Sequence, residues 1–139
     1  MQAQEIMTRG VECIEGTATI AQAAKLMDAR DVGFLAVLDS GQVVGALSDR
    51  DIVLRCVAAG CDPQTAKVRQ VMSPHPVFCS PADSLESVAT KMEHRRIRRI
   101  IVREKDGTPS GVISLGDLAA KAHDRQMTGE VMEEVCAPA

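Results

Sequence analysis

The chain repeats itself, and an internal repeat narrows the possible folds more than any composition figure can. Ile6-Met7-Thr8 recurs as Val71-Met72-Ser73, 65 positions later. At the same spacing Ile20, Ala23, Ala24 and Met27 meet Leu85, Val88, Ala89 and Met92, Arg30 meets Arg95, and Val37 meets Val102. One extra residue near Asp106 lengthens the spacing to 66, after which Gly41, Gly45, Ser48 and Asp51 meet Gly107, Gly111, Ser114 and Asp117. Apolar period, turn glycines and a polar motif all recur in the same order, which scattered chance identities would not preserve.

Each copy can be read locally. Residues 20, 23, 24 and 27 follow the i, i+3, i+4, i+7 rule of one helical stripe. Thr19 precedes that stripe and Gln22 lies three further on, a capping-box spacing; Ser84 takes the cap position in the second copy. Phe34–Leu38 and Ile100–Val102 are short apolar runs that read as buried strands. Ser40-Gly41-Gln42 and Lys105–Gly107 are turn-like, and Val43–Leu47 and Gly111–Ile113 return as strands. A helix follows each at Ser48 and at Ser114. The order is β-α-β-β-α, twice.

The expectation is an α/β (α+β) chain, with a first repeat at 1–61, a linker at 62–70, a second repeat at 71–124 and a tail helix at 125–139. One half-unit cannot cover both faces of its own sheet, so the two repeats are expected to pack sheet to sheet about a pseudo-twofold axis. Ligand sites commonly lie at such seams.

Composition removes several functions. The 139 residues include two Phe and neither Trp nor Tyr, against the aromatic platforms of single-strand nucleic-acid readers. A net charge of −3 argues against a phosphate-backbone binder. No apolar run reaches membrane-spanning length, and the opening residues carry no signal pattern, so the expectation is a cytoplasmic protein with no membrane partner. Cys13, Cys56, Cys61, Cys79 and Cys136 form no CxxC pair and are read as free thiols. His75, His94 and His123 lack any metal-ligand spacing, and no catalytic Ser-His-Asp or Cys-His order stands out. Neither a catalytic residue nor a metal is therefore expected.

The repeated Gly-x-x-Ser-x-x-Asp motif carries the chemistry: Gly45…Ser48…Asp51 and Gly111…Ser114…Asp117. A hydroxyl at a strand end, beside the free N–H groups of a starting helix, can hold a phosphate oxygen. A carboxylate one turn later can accept from both hydroxyls of a ribose. The same spacing is also a helix cap, and the two roles can coexist. A sensor built on this motif requires that Asp51 and Asp117 face the gap between the repeats; turned away from it, toward open solvent or a salt partner, they leave that reading nothing to stand on.

The pattern resembles the cystathionine-β-synthase (CBS) domain family, as a tandem pair or Bateman module. The resemblance rests on Ile6–Thr8 with Val71–Ser73, on Val32–Val37 with Ile97–Val102, and on Gly45–Asp51 with Gly111–Asp117. It covers roughly residues 6 to 123 and leaves no catalytic segment over. It implies a non-catalytic regulatory module that binds an adenosine nucleotide (AMP, ADP, ATP or NAD) in clefts between the repeats, with no catalytic cofactor. One cleft would take Thr8, Cys13, Val32 and Gly33 with Arg99, Ser114 and Asp117. Its mirror would take Ser73, Phe78, Ile97 and Arg98 with Ser48 and Asp51. Phe34 stands at the position of Arg99, so the mirror cleft lacks that phosphate-binding cation. The family also implies a homodimer and a regulated partner protein. The alternatives are an interaction scaffold with vestigial clefts and a thiol-dependent redox regulator.

Overall fold

The computed structural model describes residues 1–138. Two short elements open the chain, α1 (Ala3–Ile6) and β1 (Thr8–Arg9). The first repeat continues with β2 (Cys13–Glu15), α2 (Ile20–Arg30), β3 (Phe34–Asp39), β4 (Gln42–Ser48) and α3 (Asp49–Ile52). Without a break, α3 widens into a π-helical turn, Val53–Val57. The second opener is α4 (Val68–Val71) and β5 (Ser73–Pro74). Then come β6 (Phe78–Cys79), α5 (Leu85–Arg95), β7 (Arg99–Arg103), β8 (Pro109–Ser114), α6 (Leu115–Lys121) and α7 (Arg125–Cys136). The β-α-β-β-α order read from the sequence is present in both copies.

The predicted helices form where their stripes and caps require. Thr19 Oγ1 accepts the Gln22 N–H at 3.1 Å, and the Gln22 side chain accepts the Thr19 N–H at 2.9 Å. Leu85, Val88, Ala89 and Met92 are all buried, and so are Ile20, Ala23 and Met27. Ala24 is exposed, so the stripe of α2 is narrower than the spacing predicted. Both helices end on a left-handed residue, Asp31 (φ 53°) and Arg96 (φ 51°), which stops the helix and turns the chain toward the next strand. Helix α7 runs from Arg125 to Cys136. Asp124 Oδ1 caps it by accepting the Met127 N–H at 2.9 Å.

The strands form two four-stranded sheets, β1-β8-β7-β6 and β2-β3-β4-β5. Within each, one pair is parallel (β2 with β3, β6 with β7) and the others are antiparallel. Each sheet takes its edge strand from the other copy. Thr8 and Arg9 pair with Val112 and Gly111, while Ser73 and Pro74 pair with Ala46 and Gly45. The compact units therefore do not follow the repeat boundaries. A continuous unit holds Glu12–Pro76, and a split unit holds Met1–Val11 together with the chain from Val77 onward. The span 62–70, read as a linker, carries the start of α4, and its Val68 is fully buried.

Each unit has its own core. In the continuous unit Ile20, Leu35, Leu47, Cys56 and Val68 are buried together. In the split unit Ile6, Met92, Ile100, Ile113, Leu118 and Val131 form the centre. The repeated glycines explain how the exchanged openers fit. A Cβ on Gly45 would strike Met72 and the Ser73 carbonyl, and one on Gly111 would strike Met7 and the Thr8 carbonyl. Only a residue without a side chain lets the edge strand and its methionine approach this closely.

Candidate functional site

Each unit has a corner where its long hairpin ends and a helix begins. In the continuous unit β4 ends at Ser48, opposite Phe34, and the Asp49 N–H donates to the Gly33 carbonyl at 2.9 Å. In the split unit β8 ends at Ser114, opposite Arg99, and the Leu115 N–H donates to the Arg98 carbonyl at 3.1 Å. The sequence reaches both corners by the same route, a returning strand followed by a polar cap.

Both motifs close as capping boxes. Ser48 Oγ accepts the Asp51 N–H at 3.1 Å, and Asp51 Oδ2 accepts the Ser48 N–H at 2.9 Å. Ser114 and Asp117 make the same pair at 3.1 and 2.9 Å, and the Ser114 hydroxyl also donates to Asp117 Oδ2 at 3.1 Å.

A third member of each corner escaped the motif reading. Arg55 follows Asp51 by four residues and Lys121 follows Asp117 by four, and the two cations occupy equivalent repeat positions. Arg55 Nη1 donates to the Val71 carbonyl and to Ser73 Oγ, both at 3.1 Å, with Nη2 3.8 Å from Asp51 Oδ1. Lys121 Nζ donates to the Ile6 carbonyl at 3.3 Å and lies 3.0 Å from Asp117 Oδ1. Val71 and Ile6 are themselves repeat equivalents. Each cation thus ties its helix to the opener that the other copy contributes. The signal was present in the sequence: the same charge four residues after the same aspartate, in both copies.

The carboxylates are therefore engaged. Asp117 gives one oxygen to the cap and the other to Lys121, whereas Asp51 Oδ1 has a cation only at 3.8 Å. Each thus has a salt partner four residues on along its own helix, which counts against a ribose role unless a ribose displaces the cation. Partial burial alone would raise the Asp117 carboxyl. The Ser114 N–H, the Lys121 ammonium and the Ser114 hydroxyl outweigh it and hold the group below its ordinary value.

The remaining predicted site residues divide between the units. Gly33, Ser48, Asp51 and Ser73 are linked by the bonds above in the continuous unit. Val32 lies beside Gly33 and packs partly on the core. Cys13 stands on β2, across β3 from the corner and opposite Ala36. In the split unit Arg98, Arg99, Ser114 and Asp117 meet at the corner. Thr8 lies on β1 opposite Val112, two residues before Ser114. Ile97 packs partly against the core. Phe78 sits on β6 opposite Ile101, with the Arg103 guanidinium 3.9 Å from its ring centre. That Arg103 contact had no sequence signal.

The cysteines need a correction. Cys56 and Cys61, expected as free thiols, are joined by a disulfide. The π-helical turn and the bend after it bring their Cα atoms to 4.9 Å, inside the range a disulfide spans, a proximity that sequence separation alone does not reveal. Cys13, Cys79 and Cys136 lie outside the disulfide. Burial, with Glu12 and Glu15 nearby, pushes the Cys13 thiol up. Burial, with Asp83 beside it, pushes Cys79 up to about 11 against the opposing pull of Lys91. Both shifts disfavour a nucleophilic thiolate. Among the described residues no cluster of His, Cys, Asp and Glu could hold a metal ion, and no helix is long and apolar enough to cross a membrane.

The two corners fall inside two matches to one family model, the CBS domain, at residues 3–57 and 68–124. The chain belongs to the CBS domain family. CBS pairs of this kind are typically regulatory or signalling modules. The chain is 35% identical over 132 residues to the CBS domain-containing protein YhcV of Bacillus subtilis, covering 95% of this chain and 93% of that one. It is similar to the hexameric CBS-CP12 protein of bloom-forming cyanobacteria, at 37% identity and a TM-score of 0.78, covering 88% of this chain and 72% of that one. The fold is also shared with the CBS domain protein TA0289 of Thermoplasma acidophilum. There the TM-score is 0.85 at 23% identity, covering 99% of this chain and 77% of that one.

Proposed function

We propose that this CBS pair is a non-catalytic sensor of adenosine nucleotides, such as AMP, ADP, ATP or NAD, that signals to a regulated partner protein. The observation that carries the reading is the duplicated corner, in which a strand-end hydroxyl, a carboxylate and a cation recur in both copies. In this reading Ser48 and Ser114 contact phosphate, Arg99 adds a cation beside Ser114, and Asp51 and Asp117 accept ribose hydroxyls by giving up their contacts with Arg55 and Lys121. The Asp51 corner lacks an equivalent of Arg99, and its Arg55 guanidinium is held by the Val71 carbonyl and Ser73 Oγ, so a phosphate there must compete for it. Asp51 Oδ1, with its cation at 3.8 Å, is the more available ribose acceptor; at Asp117 a ribose must compete with Lys121.

Calorimetric titration with AMP and with NAD tests the reading. Saturable binding that weakens at least tenfold in Asp51→Ala supports it. Wild-type affinity in both Asp51→Ala and Asp117→Ala removes the ribose role.

A second reading, a scaffold that self-associates as a homodimer, has an observation of its own. Val53, Leu54 and Val57 are 55, 48 and 65% exposed on one turn of the continuous unit. An apolar cluster of this kind is what a protein contact would cover. A dimer by light scattering, together with no thermal shift across an adenosine panel, favours the scaffold over the sensor.

A further inference from the structure

The Cys56–Cys61 disulfide sits where one copy departs from the other. In the split unit α6 is an ordinary α-helix, and the Ala122 N–H donates to the Leu118 carbonyl four residues back. In the continuous unit the same stretch is wound one residue wider. The Ala58 N–H reaches the Val53 carbonyl and the Cys61 N–H reaches the Cys56 carbonyl, both five residues back and both at 2.9 Å. The second copy carries Ala122 and Met127 at the two cysteine positions, so it cannot form the bond. π-Helical turns of this kind are frequent at functional sites.

The bond also has the right neighbours. Cys56 is fully buried in the core of its unit, while Cys61 is partly exposed at the end of a turn through Gly60 (φ 77°). Arg55, the cation of the Ser48–Asp51 corner, immediately precedes Cys56 on the π-helical turn. What holds this turn therefore holds the guanidinium that binds Val71 and Ser73.

We propose that the Cys56–Cys61 disulfide is a reversible redox latch that holds the π-helical turn and, through it, the position of Arg55 at the corner. A dithiol reductant is the co-reactant. One of its thiolates attacks Sγ of Cys61, the more accessible sulfur, forming a mixed disulfide and expelling Cys56 as a thiolate, which takes up a proton. The reductant's second thiolate then displaces Cys61, which is protonated in turn. The chain gains two electrons and two protons, and the reductant leaves as its own disulfide. With the cross-link gone, residues 55–61 lose their covalent anchor to the core and Arg55 loosens from the Val71 carbonyl. The latch stands apart from the identity of any ligand at the corner.

The test uses the oxidised full-length protein in native buffer, with dithiothreitol as reductant, iodoacetamide as the quench, and amide hydrogen exchange read before and after reduction. The expected result is alkylation of both Cys56 and Cys61 without unfolding. Exchange across residues 55–61 should rise at least tenfold, with no change in 85–95. Cys61→Ser should exchange like the reduced protein and ignore dithiothreitol. The proposal is overturned if the pair resists dithiothreitol until the protein unfolds. It is also overturned if exchange at 55–61 is the same in both states, or if reduction speeds exchange through the whole unit alike. The wild-type comparison decides the matter even if the Cys61→Ser variant does not fold.

Discussion

The corner at Ser48 and the corner at Ser114 are built from the same parts and are held differently. Both have the reciprocal Ser–Asp cap, with matching lengths of 3.1 and 2.9 Å. They part at the cation. Lys121 is a compact ammonium 3.0 Å from Asp117, so that corner is tightly neutralised. Arg55 spends its fork on the Val71 carbonyl and on Ser73, leaving Asp51 at 3.8 Å. The helices behind them differ too: a plain α-helix covered by α7 follows Ser114, and a π-widened turn with a disulfide follows Ser48. Duplication thus preserved the cap, which each helix needs, while the cation and the winding behind it diverged.

The largest effects should come from the shared parts. Gly45→Val and Gly111→Val each push a side chain into the neighbouring methionine and a backbone carbonyl, and should cost about 1–3 kcal/mol apiece. Urea unfolding reads this directly. Equal losses are expected, and a harmless Gly45→Val would mean that the edge pairing at β5 is dispensable.

Cap removal is next. Ser48→Ala and Ser114→Ala should each cost about 1 kcal/mol in the same measurement. A much larger loss at Ser114 would show that its extra hydroxyl bond to Asp117 matters more than the shared cap.

The cations should separate the corners with smaller effects. Lys121→Met should change stability by less than about 1 kcal/mol, because the lysine is half-exposed, and should let the Asp117 carboxyl rise toward its ordinary value. Carbon-detected titration of the side chain is the check, and an unmoved Asp117 would show that the cap alone lowers it.

The smallest effect is the acid dependence. Asp117 titrates below its ordinary value in the folded chain, so its contribution is present above the unfolded value of about 3.9 and is lost as pH falls through the lower folded one. Asp117→Asn should therefore flatten the stability profile below about pH 4 and leave its shape at neutral pH alone. An acid limb identical to wild type would count against the ion pair.

Much of the fold was legible because it is written twice. The stripes in α2 and α5, the Thr19 and Ser84 caps and the two hairpins follow from local period and turn chemistry, which act over a few residues. The site was half legible. Ser48, Asp51, Ser114 and Asp117 stood out as a motif, and the structure makes each pair a helix cap. Arg55 and Lys121 were equally periodic but were passed over, since a cation on a helix usually reads as solvated surface. The Cys56–Cys61 bond was missed because a five-residue spacing does not face one side of a regular α-helix, and a π-wound turn is what brings the two together.

Local order is what this chain's own residues determined: which segments wind, which extend, where each helix starts, and that everything happens twice. Partnership was decided only in three dimensions. No residue-by-residue pattern states that Thr8 pairs with Val112, that Ser73 pairs with Ala46, or that Lys121 reaches back to Ile6. Periodicity reports which face of an element is apolar. It does not report which sheet edge has room for it, because that room is made by a glycine on a distant strand, Gly45 for Met72 and Gly111 for Met7.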